Sequence, residues 1–249
     1  MKILHTSDWH LGHTLYNYDR TEEQKSMLRQ MVKTVEEQKP DVFLLCGDVY
    51  HTAQPSAAVQ TMFTEALIEI RDANPGMTIV VIAGNHDSGT KHEIFRTPWK
   101  VLDVHTIGSL DKESIEEHII DVPGKGYVVA VPYVNERNLP EGFFQQLLDT
   151  VAERNDQELP VVLAAHTTLK GCDFTGHDHS SEYSVGGIDT LNVEQMGEAL
   201  LLYLAIIKHV LAVGKDAVIL FTRTYDNLVE LALAGTGRNE MTTDNVLLH

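Results

Sequence analysis

The sequence predicts an α/β fold, a layered sandwich of helices packed on largely parallel sheets. Short apolar runs alternate with amphipathic helical stretches in β-α-β-α order, the pattern of layered α/β architecture. The apolar runs are continuous in Val, Ile and Leu rather than alternating, as strands covered on both faces require. With 249 residues, 43% hydrophobic and 22% charged, the chain can build one large α/β domain, or a domain with a small appendage.

The first run, "KILHTSDWH" from Lys2, ends in Asp8 and His10. A helix follows in "TEEQKSMLRQMVKTVEEQ". Thr21 and Gln24 stand in capping-box spacing, Met27, Met31 and Val35 recur every four residues, and Pro40 stops it. The second strand, "DVFLLCGDVYH" (Asp41 to His51), delivers Asp48 and His51. A second helix begins at Ser56, carries Val59, Phe63, Leu67 and Ile70 on one face, and ends near Asn74-Pro75-Gly76. "TIVVIAGNHD" (Thr78 to Asp87) is a third strand ending in Asn85, His86 and Asp87.

From about Val101 to Val134, "HIIDV" and "YVVAVPYV" read as further strands, with turns at Pro123-Gly124 and Gly126. A helix is expected over Glu141 to Glu153, then a fourth buried strand, "PVVLAAH" (Pro160 to His166), ending in His166. Gly171 to Thr190 is polar and Gly-rich, a long loop of the kind that often carries function. A helical run from about Asn192, a buried helix over Ala199 to Val213, a strand at Ala217 to Phe221 and a poorly ordered tail of about twenty residues complete the reading.

Net charge of −17 argues against a broad basic surface for gripping nucleic acid. It leaves room for an enzyme that meets phosphates through bound cations, or for a partner subunit that supplies the basic surface. Cys46 and Cys172 form neither a disulfide framework nor a clustered-thiol zinc pattern. The N-terminus lacks the apolar core of a signal peptide. Lys208 and His209 interrupt the most apolar segment, which falls short of the roughly 18 to 20 residues a span needs. A cytoplasmic protein without membrane contact is expected.

The strand ends carry the chemistry. Two hard divalent cations held close together need a bridging carboxylate plus oxygen and imidazole ligands. Asp48, after the turn at Gly47, is the candidate bridge; Asp8 and His10 are candidates on one side, Asn85 and His166 on the other. The Asn85 oxygen is a neutral ligand that limits the negative charge. His86 is free to protonate a leaving oxygen, and Asp87 is a candidate to orient its ring. Taken singly, each element has an ordinary explanation: a solvated loop, a turn, a helix cap, a satisfied polar histidine. Four strand ends bearing the right residue types in one chain favour the joint reading.

"SDWHLG" (Ser7 to Gly12), "GDVYH" (Gly47 to His51), "GNHD" (Gly84 to Asp87) and "AAHTT" (Ala164 to Thr168) resemble the ordered motifs of calcineurin-like metallophosphoesterases. With "HTTLKGCDFTG", they are similar to the SbcD-type DNA repair nuclease subunits over about residues 1 to 198. The resemblance implies a four-layer α/β/β/α sandwich with mixed sheets. It implies two divalent ions, manganese above all, at Asp8, His10, Asp48, Asn85 and His166, with an acid catalyst at His86 and a DNA-positioning role for His51. The implied reaction is phosphodiester hydrolysis of DNA, exonucleolytic and endonucleolytic. The implied partners are a second copy of the chain and an SbcC-like coiled-coil ATPase, with helices at Ser56 to Asp72 and after Thr90 as dimer surfaces by analogy.

The match breaks after Glu198. The family's last motif, Gly-His-x-His, is absent there; only His209 lies nearby. "GHDH" (Gly176 to His179) has the right letters, but His177 lies eleven residues after His166, inside the long loop. The organisation read from the sequence is therefore a nuclease domain at 1–198 and a divergent segment at 199–249 that completes the domain or is partly disordered. Capping and partner-binding regions are read as absent, and a frameshifted, truncated or diverged gene would each account for the change. The rival readings are a small-molecule phosphodiesterase or phosphatase on the same fold, and a non-catalytic remnant.

Overall fold

The computed structural model describes residues 1–169, 190–191, 210–213, 217–222 and 231–234, with side chains up to residue 167. In chain order the elements begin with β1 (Lys2–Thr6), a small hairpin of β2 (Thr14–Leu15) and β3 (Tyr18–Asp19), α1 (Thr21–Gln38), β4 (Val42–Cys46) and α2 (Ala57–Ala73). Next come β5 (Thr78–Ile82), α3 (Gly89–Lys100), β6 (Val104–Ile107), β7 (Ile119–Val122), β8 (Gly126–Val131), α4 (Phe143–Arg154) and β9 (Val161–Ala165). The remaining strands are β10 (Thr168–Leu169), β11 (Thr190–Leu191), β12 (Val210–Val213), β13 (Ala217–Thr222) and β14 (Leu231–Ala234).

Two main sheets form, one of six strands in the order β14-β13-β1-β4-β5-β6 and one of four in the order β12-β9-β8-β7. The first is parallel except for β13–β14; the second mixes a parallel β8–β9 pair with antiparallel β7–β8 and β9–β12 pairs. Alternation along each strand divides its residues between two cores. In β4, Phe43 and Leu45 face α1 and α2, packing with Leu28, Met31, Val35, Phe63 and Leu67. Val42, Leu44 and Cys46 face the second sheet and meet Val128, Ala130, Val162 and Ala164. A third core joins Val129, Val131, Leu163 and Ala165 to Phe143, Phe144, Leu147 and Val151 of α4. Three cores between four layers make the fold an α/β/β/α sandwich with mixed sheets, as expected.

The helix faces follow the apolar periodicity with two corrections. On α1, Leu28 joins Met31 and Val35 at the buried centre, while Met27 packs only partly. The capping box does not form either: Thr21 is the first helical residue, and the Asp19 carboxylate accepts its N–H (2.8 Å) and hydroxyl (2.6 Å). Gln24 instead turns inward, 3% exposed. Its Oε1 accepts from the Gly12 N–H (3.1 Å) and its amide donates to the His10 carbonyl (3.2 Å). A glutamine in capping spacing thus braces the loop after β1. On α2, Ser56 caps as expected, accepting from the Val59 N–H.

Past His166 the reading needs revision. Val210–Val213, expected as the end of a buried helix, is a strand antiparallel to β9, with Val210 opposite Ala164. Short apolar runs are ambiguous between helix and strand, and the open edge of β9 offers a ladder that decides it. Ala217–Thr222 is a strand as expected, parallel to β1. Leu231–Ala234, at the start of the tail read as poorly ordered, pairs antiparallel with β13. The long loop's end, Thr190–Leu191, pairs parallel with Thr168–Leu169. Cys172, the Gly176–His179 motif, the helical run near Asn192, His209 and the final residues lie outside the described residues. Among those described, no helix is long and apolar enough to cross a membrane.

Gln24→Ala is expected to destabilise the chain by about 1–3 kcal/mol, because it removes a buried side chain and leaves a part-buried N–H and carbonyl without their partner. Thr21→Ala, whose hydroxyl bond is exposed, is expected to cost under about 0.5 kcal/mol. Urea unfolding of both variants measures the difference.

Candidate metal centre

The loops that follow β1 and β4 are laced together by their backbones. The N–H groups of Asp8, His10 and Leu11 donate to the carbonyls of Gly47 (3.0 Å), Asp48 (2.9 Å) and Val49 (2.9 Å), and the His51 N–H donates back to Leu11 (3.0 Å). Asp8, His10 and Asp48 take positive φ values of 54°, 43° and 50°. Among L-residues Asn and Asp tolerate this region best, so His10 above all must be held in it by surrounding contacts. Trp9 is one such contact. It is fully buried, edge-on to Phe43 and Phe63, and donates from Nε1 to Thr6 Oγ1 at 2.8 Å. Its burial between Asp8 and His10 leaves those two on the open side.

Two glycines make room for the acid that these loops surround. A Cβ on Gly47 would overlap the His166 imidazole, and one on Gly84 would overlap the Asp48 carboxyl and backbone. Only glycine permits so close an approach of the β4 and β5 loops.

Asp8, Asp48 and His166 each bring a ligand atom within 4.8 Å of the others. Asp48 has no exposed surface. Its Oδ1 accepts the His86 N–H at 2.9 Å, whereas Oδ2 accepts no hydrogen bond among the described residues. That oxygen faces His166 Nε2 at 3.6 Å and His10 Nε2 at 3.8 Å. His166 Nδ1 lies 2.9 Å from the Cys46 carbonyl, which can only accept, so Nδ1 carries the proton. In the neutral ring Nε2 then presents a lone pair, 3.0 Å from Asn85 Oδ1. Lone pairs of Asp48, His166 and Asn85 therefore converge without a proton between them, an arrangement that a cation fits. Burial pushes the Asp48 carboxyl up to about 6; His166 pulls it back and Asp8 pushes it further. Ser7 Oγ donates to Asp8 Oδ2 at 2.5 Å and fixes that carboxylate.

A second group lies beside the first. His10, His51 and His86 offer ring nitrogens within 4.8 Å of one another. His10 links the two groups, its Nε2 lying 4.0 Å from Asp8 Oδ1 and 3.8 Å from Asp48 Oδ2. The His51 and His86 rings stack at 5.8 Å, and His13 packs on His51 at 4.4 Å. Burial, then His13 and His86, hold His51 below the ordinary 6.5. Burial and then Arg20 lower His13 likewise.

The expectation that Asp87 orients His86 is not met. His86 Nδ1 lies 3.1 Å from the His51 carbonyl, which fixes the ring and leaves Nε2 for other partners. The Asp87 carboxylate instead accepts the backbone N–H groups of Val49 (3.1 Å), Tyr50 (3.0 Å) and Gly84 (2.9 Å), with His92 Nε2 3.6 Å away. Burial alone would raise this acid, but His92 and the backbone donors bring it below the usual carboxylate range. Asp87 therefore clasps the β4 loop to the β5 loop. Adjacent residues of a turn point apart, which is why sequence proximity misassigned it. Sequence reasoning also passed over Ser7, Trp9, His13 and His92, and read Gln24 only as half of a capping box; the Asp-Trp-His alternation was the one signal available, and it pointed to Trp9.

The raised Asp48 value sets a sign. A carboxyl higher in the folded chain than its ordinary 3.8 favours folding below that value, and the contribution is lost as pH rises through about 6. The metal-free chain is therefore expected to lose stability between about pH 4 and 6, with a flatter profile in Asp48→Asn. At pH 8, divalent cation should raise the Tm of the wild type and leave that of Asp48→Asn unchanged. Thermal melts across pH, with and without metal, check both.

The arrangement has relatives. Residues 1–193 match the family profile described as calcineurin-like phosphoesterase. The chain is 29% identical over 215 residues to the SbcD subunit of the nuclease SbcCD from Bacillus subtilis, an alignment covering 79% of this chain and 54% of that protein. The Rhodobacter capsulatus protein of the same name is 31% identical over 149 residues, covering 56% and 37%. The Escherichia coli K12 one is 24% identical over 220 residues, covering 80% and 54%. The chain thus spans about half the length, or less, of the curated relatives it matches. With more than half its residues inside the family profile, and acid and imidazole ligands gathered at its strand ends, it belongs to the calcineurin-like phosphoesterases, a metal-dependent family.

Proposed function

We propose that this chain is a manganese-dependent DNA nuclease of the SbcD type, cleaving phosphodiester bonds as an exonuclease and endonuclease in DNA repair and recombination. The observation that carries the reading is the proton-free convergence on Asp48 Oδ2, buried and lacking a donor among the described residues. Asp8, His10, Asp48, Asn85 and His166 would hold two divalent cations. The carboxylate and amide oxygens among these donors suit manganese. When bound, the ions supply Lewis acidity toward phosphate oxygens and a nucleophile at neutral pH.

The chain's own groups do the rest. Protonated on both nitrogens, His86 keeps Nδ1 on the His51 carbonyl and delivers the Nε2 proton to the leaving oxygen, to be reprotonated from solvent. His51, neutral at neutral pH and stacked on His86, holds that ring and steers the DNA strand. Asp87 keeps the two loops in register.

The reading extends to context. Residues 1–198 form the nuclease domain, and 199–249 complete its sheets through β12, β13 and β14. Exposed Ile68 on α2, with Ile94 and Phe95 on α3, supports a homodimer. An SbcC-like ATPase supplies the basic surface that a chain of net charge −17 lacks, in the cytoplasm where the DNA is.

The missing Gly-His-x-His after Glu198 favours a second reading, a non-catalytic remnant with weakened metal affinity. Metal analysis after purification with Mn²⁺, followed by assays on hairpin DNA, duplex DNA, cyclic nucleotides and bis(4-nitrophenyl) phosphate, separates the possibilities. The nuclease reading expects Mn²⁺-dependent cutting of DNA above the small esters. His86→Asn should lower kcat by about 10² to 10⁴ while bound Mn²⁺ stays unchanged. Less than about one tightly held ion per chain, with no cleavage, establishes the remnant. Preference for cyclic nucleotides establishes a small-molecule phosphodiesterase.

A further inference from the structure

The β2–β3 hairpin is a feature that neither the fold nor the metal centre requires. Thr14 pairs with Asp19 and Leu15 with Tyr18, leaving Tyr16 and Asn17 as a two-residue turn. Both turn residues have positive φ, 47° and 67°, as a type I′ turn demands. Asn suits that region. Tyr does not, and a glycine would build the same turn without strain. Yet Tyr16 occupies the tip with 97% of its surface exposed, flanked by Tyr18 at 63% and Leu15 at 49%. A large ring held in an unfavourable backbone region, wholly in solvent, contributes nothing to the core.

The hairpin's position gives the ring a use. It springs directly from His13, whose imidazole packs on His51 at 4.4 Å. Its far end is tied to α1, where the Asp19 carboxylate accepts from Thr21. Tyr16 is three residues beyond His13, so their Cα atoms lie within roughly 10 Å of each other at ~3.3 Å per extended residue. That span is short on the scale of a nucleic-acid strand, which advances at least ~3.4 Å per nucleotide. Charge points the same way. A chain of net charge −17 cannot hold a strand through a basic surface, whereas stacking on an aromatic face needs no positive charge and tolerates any base.

We propose that the Tyr16 tip is a stacking platform for one unpaired base of a DNA strand, within a few nucleotides of the phosphate held at the histidine cluster. Tyr18 and Leu15 support that base from the strands below. This rests on the nuclease reading, which it deepens by naming a single-stranded overhang as the form of DNA the site prefers.

The test uses the full chain with Ca²⁺ in place of Mn²⁺, at one fixed low salt concentration. The probe is duplex DNA with a short overhang that carries 2-aminopurine at successive positions. Wild type should quench the probe at one register, and Tyr16→Gly should bind the overhang about tenfold more weakly and lose that quenching. Tyr16→Trp should restore both. Tyr16→Gly relieves the turn, so its Tm should equal or exceed that of the wild type, separating lost stacking from misfolding. Hydrolysis of bis(4-nitrophenyl) phosphate with Mn²⁺, which is too small to span the hairpin, should be the same in all three. Equal overhang binding by Tyr16→Gly and wild type overturns the proposal and leaves the hairpin to a protein partner, while ester hydrolysis still upholds the nuclease site. An overhang that wild type does not bind overturns it as well. Failure of wild type to hydrolyse either ester or DNA with Mn²⁺ removes the nuclease reading on its own separate readout.

Discussion

Asp48 is a carboxylate with no exposed surface, one oxygen tied to the His86 N–H and the other facing two imidazoles and no donor among the described residues. An ionised group taken out of water and left half-satisfied costs far more than any surface ion pair returns. Its placement is nonetheless the point of the architecture. Asp48 follows the central strand β4, so β1 and β5 bring their loops to it from either side, and β9 of the second sheet brings His166 from across the inter-sheet core. Gly47 and Gly84 permit the approach because any larger residue would occupy the volume of the imidazole or of the carboxylate itself. The fold concentrates its electrostatic strain at one point, and that point is where a cation would remove it. A cation bound there would add its binding free energy directly to the stability of the fold.

The loops are held by devices that do not touch the centre. Trp9 fixes the β1 loop from the core side, Gln24 of α1 holds its backbone at His10 and Gly12, and Asp87 joins the β4 and β5 loops through three N–H groups. Gln24 and Asp87 satisfy backbone groups that positive φ values or tight turns leave without ladder partners, and Trp9 holds by burial and its bond to Thr6 Oγ1. His10, with its positive-φ neighbours Asp8 and Asp48, is thereby held from behind.

Much of this was legible in the sequence, for identifiable reasons. Strands β1, β4, β5 and β9 lie between two layers, so both faces are apolar and the runs stand out against the helices. The strand-end residues Asp8, His10, Asp48, Asn85, His86 and His166 were found because a polar cluster immediately after such a run has no packing role. Gln24 and Asp87 were misread because each sits at a spacing that suggests a local partner, while the actual partner comes from another loop. Spacing records neighbours along the chain; a side chain's direction at a turn is settled by what approaches it in space. Val210–Val213 escaped for a related reason, since only the free edge of β9 distinguishes a strand there from the end of a helix.

The acidity of the whole chain bears on how such a centre meets a phosphate. Asp8 and Asp48 bring two carboxylates to the site, while His13 and His51 are held below the ordinary imidazole value and stay neutral near pH 7. Side chains alone would therefore repel a phosphodiester. Charge elsewhere on a surface is screened beyond about 8 Å at physiological salt, so the overall −17 weakens approach more than it weakens contact. Attraction would then come from cations at the centre, which would reverse the local sign, and from uncharged contacts near it. Imidazoles would suit that regime better than lysines: they can take up or pass on a proton without forming permanent ion pairs with the carboxylates that a bound metal would need.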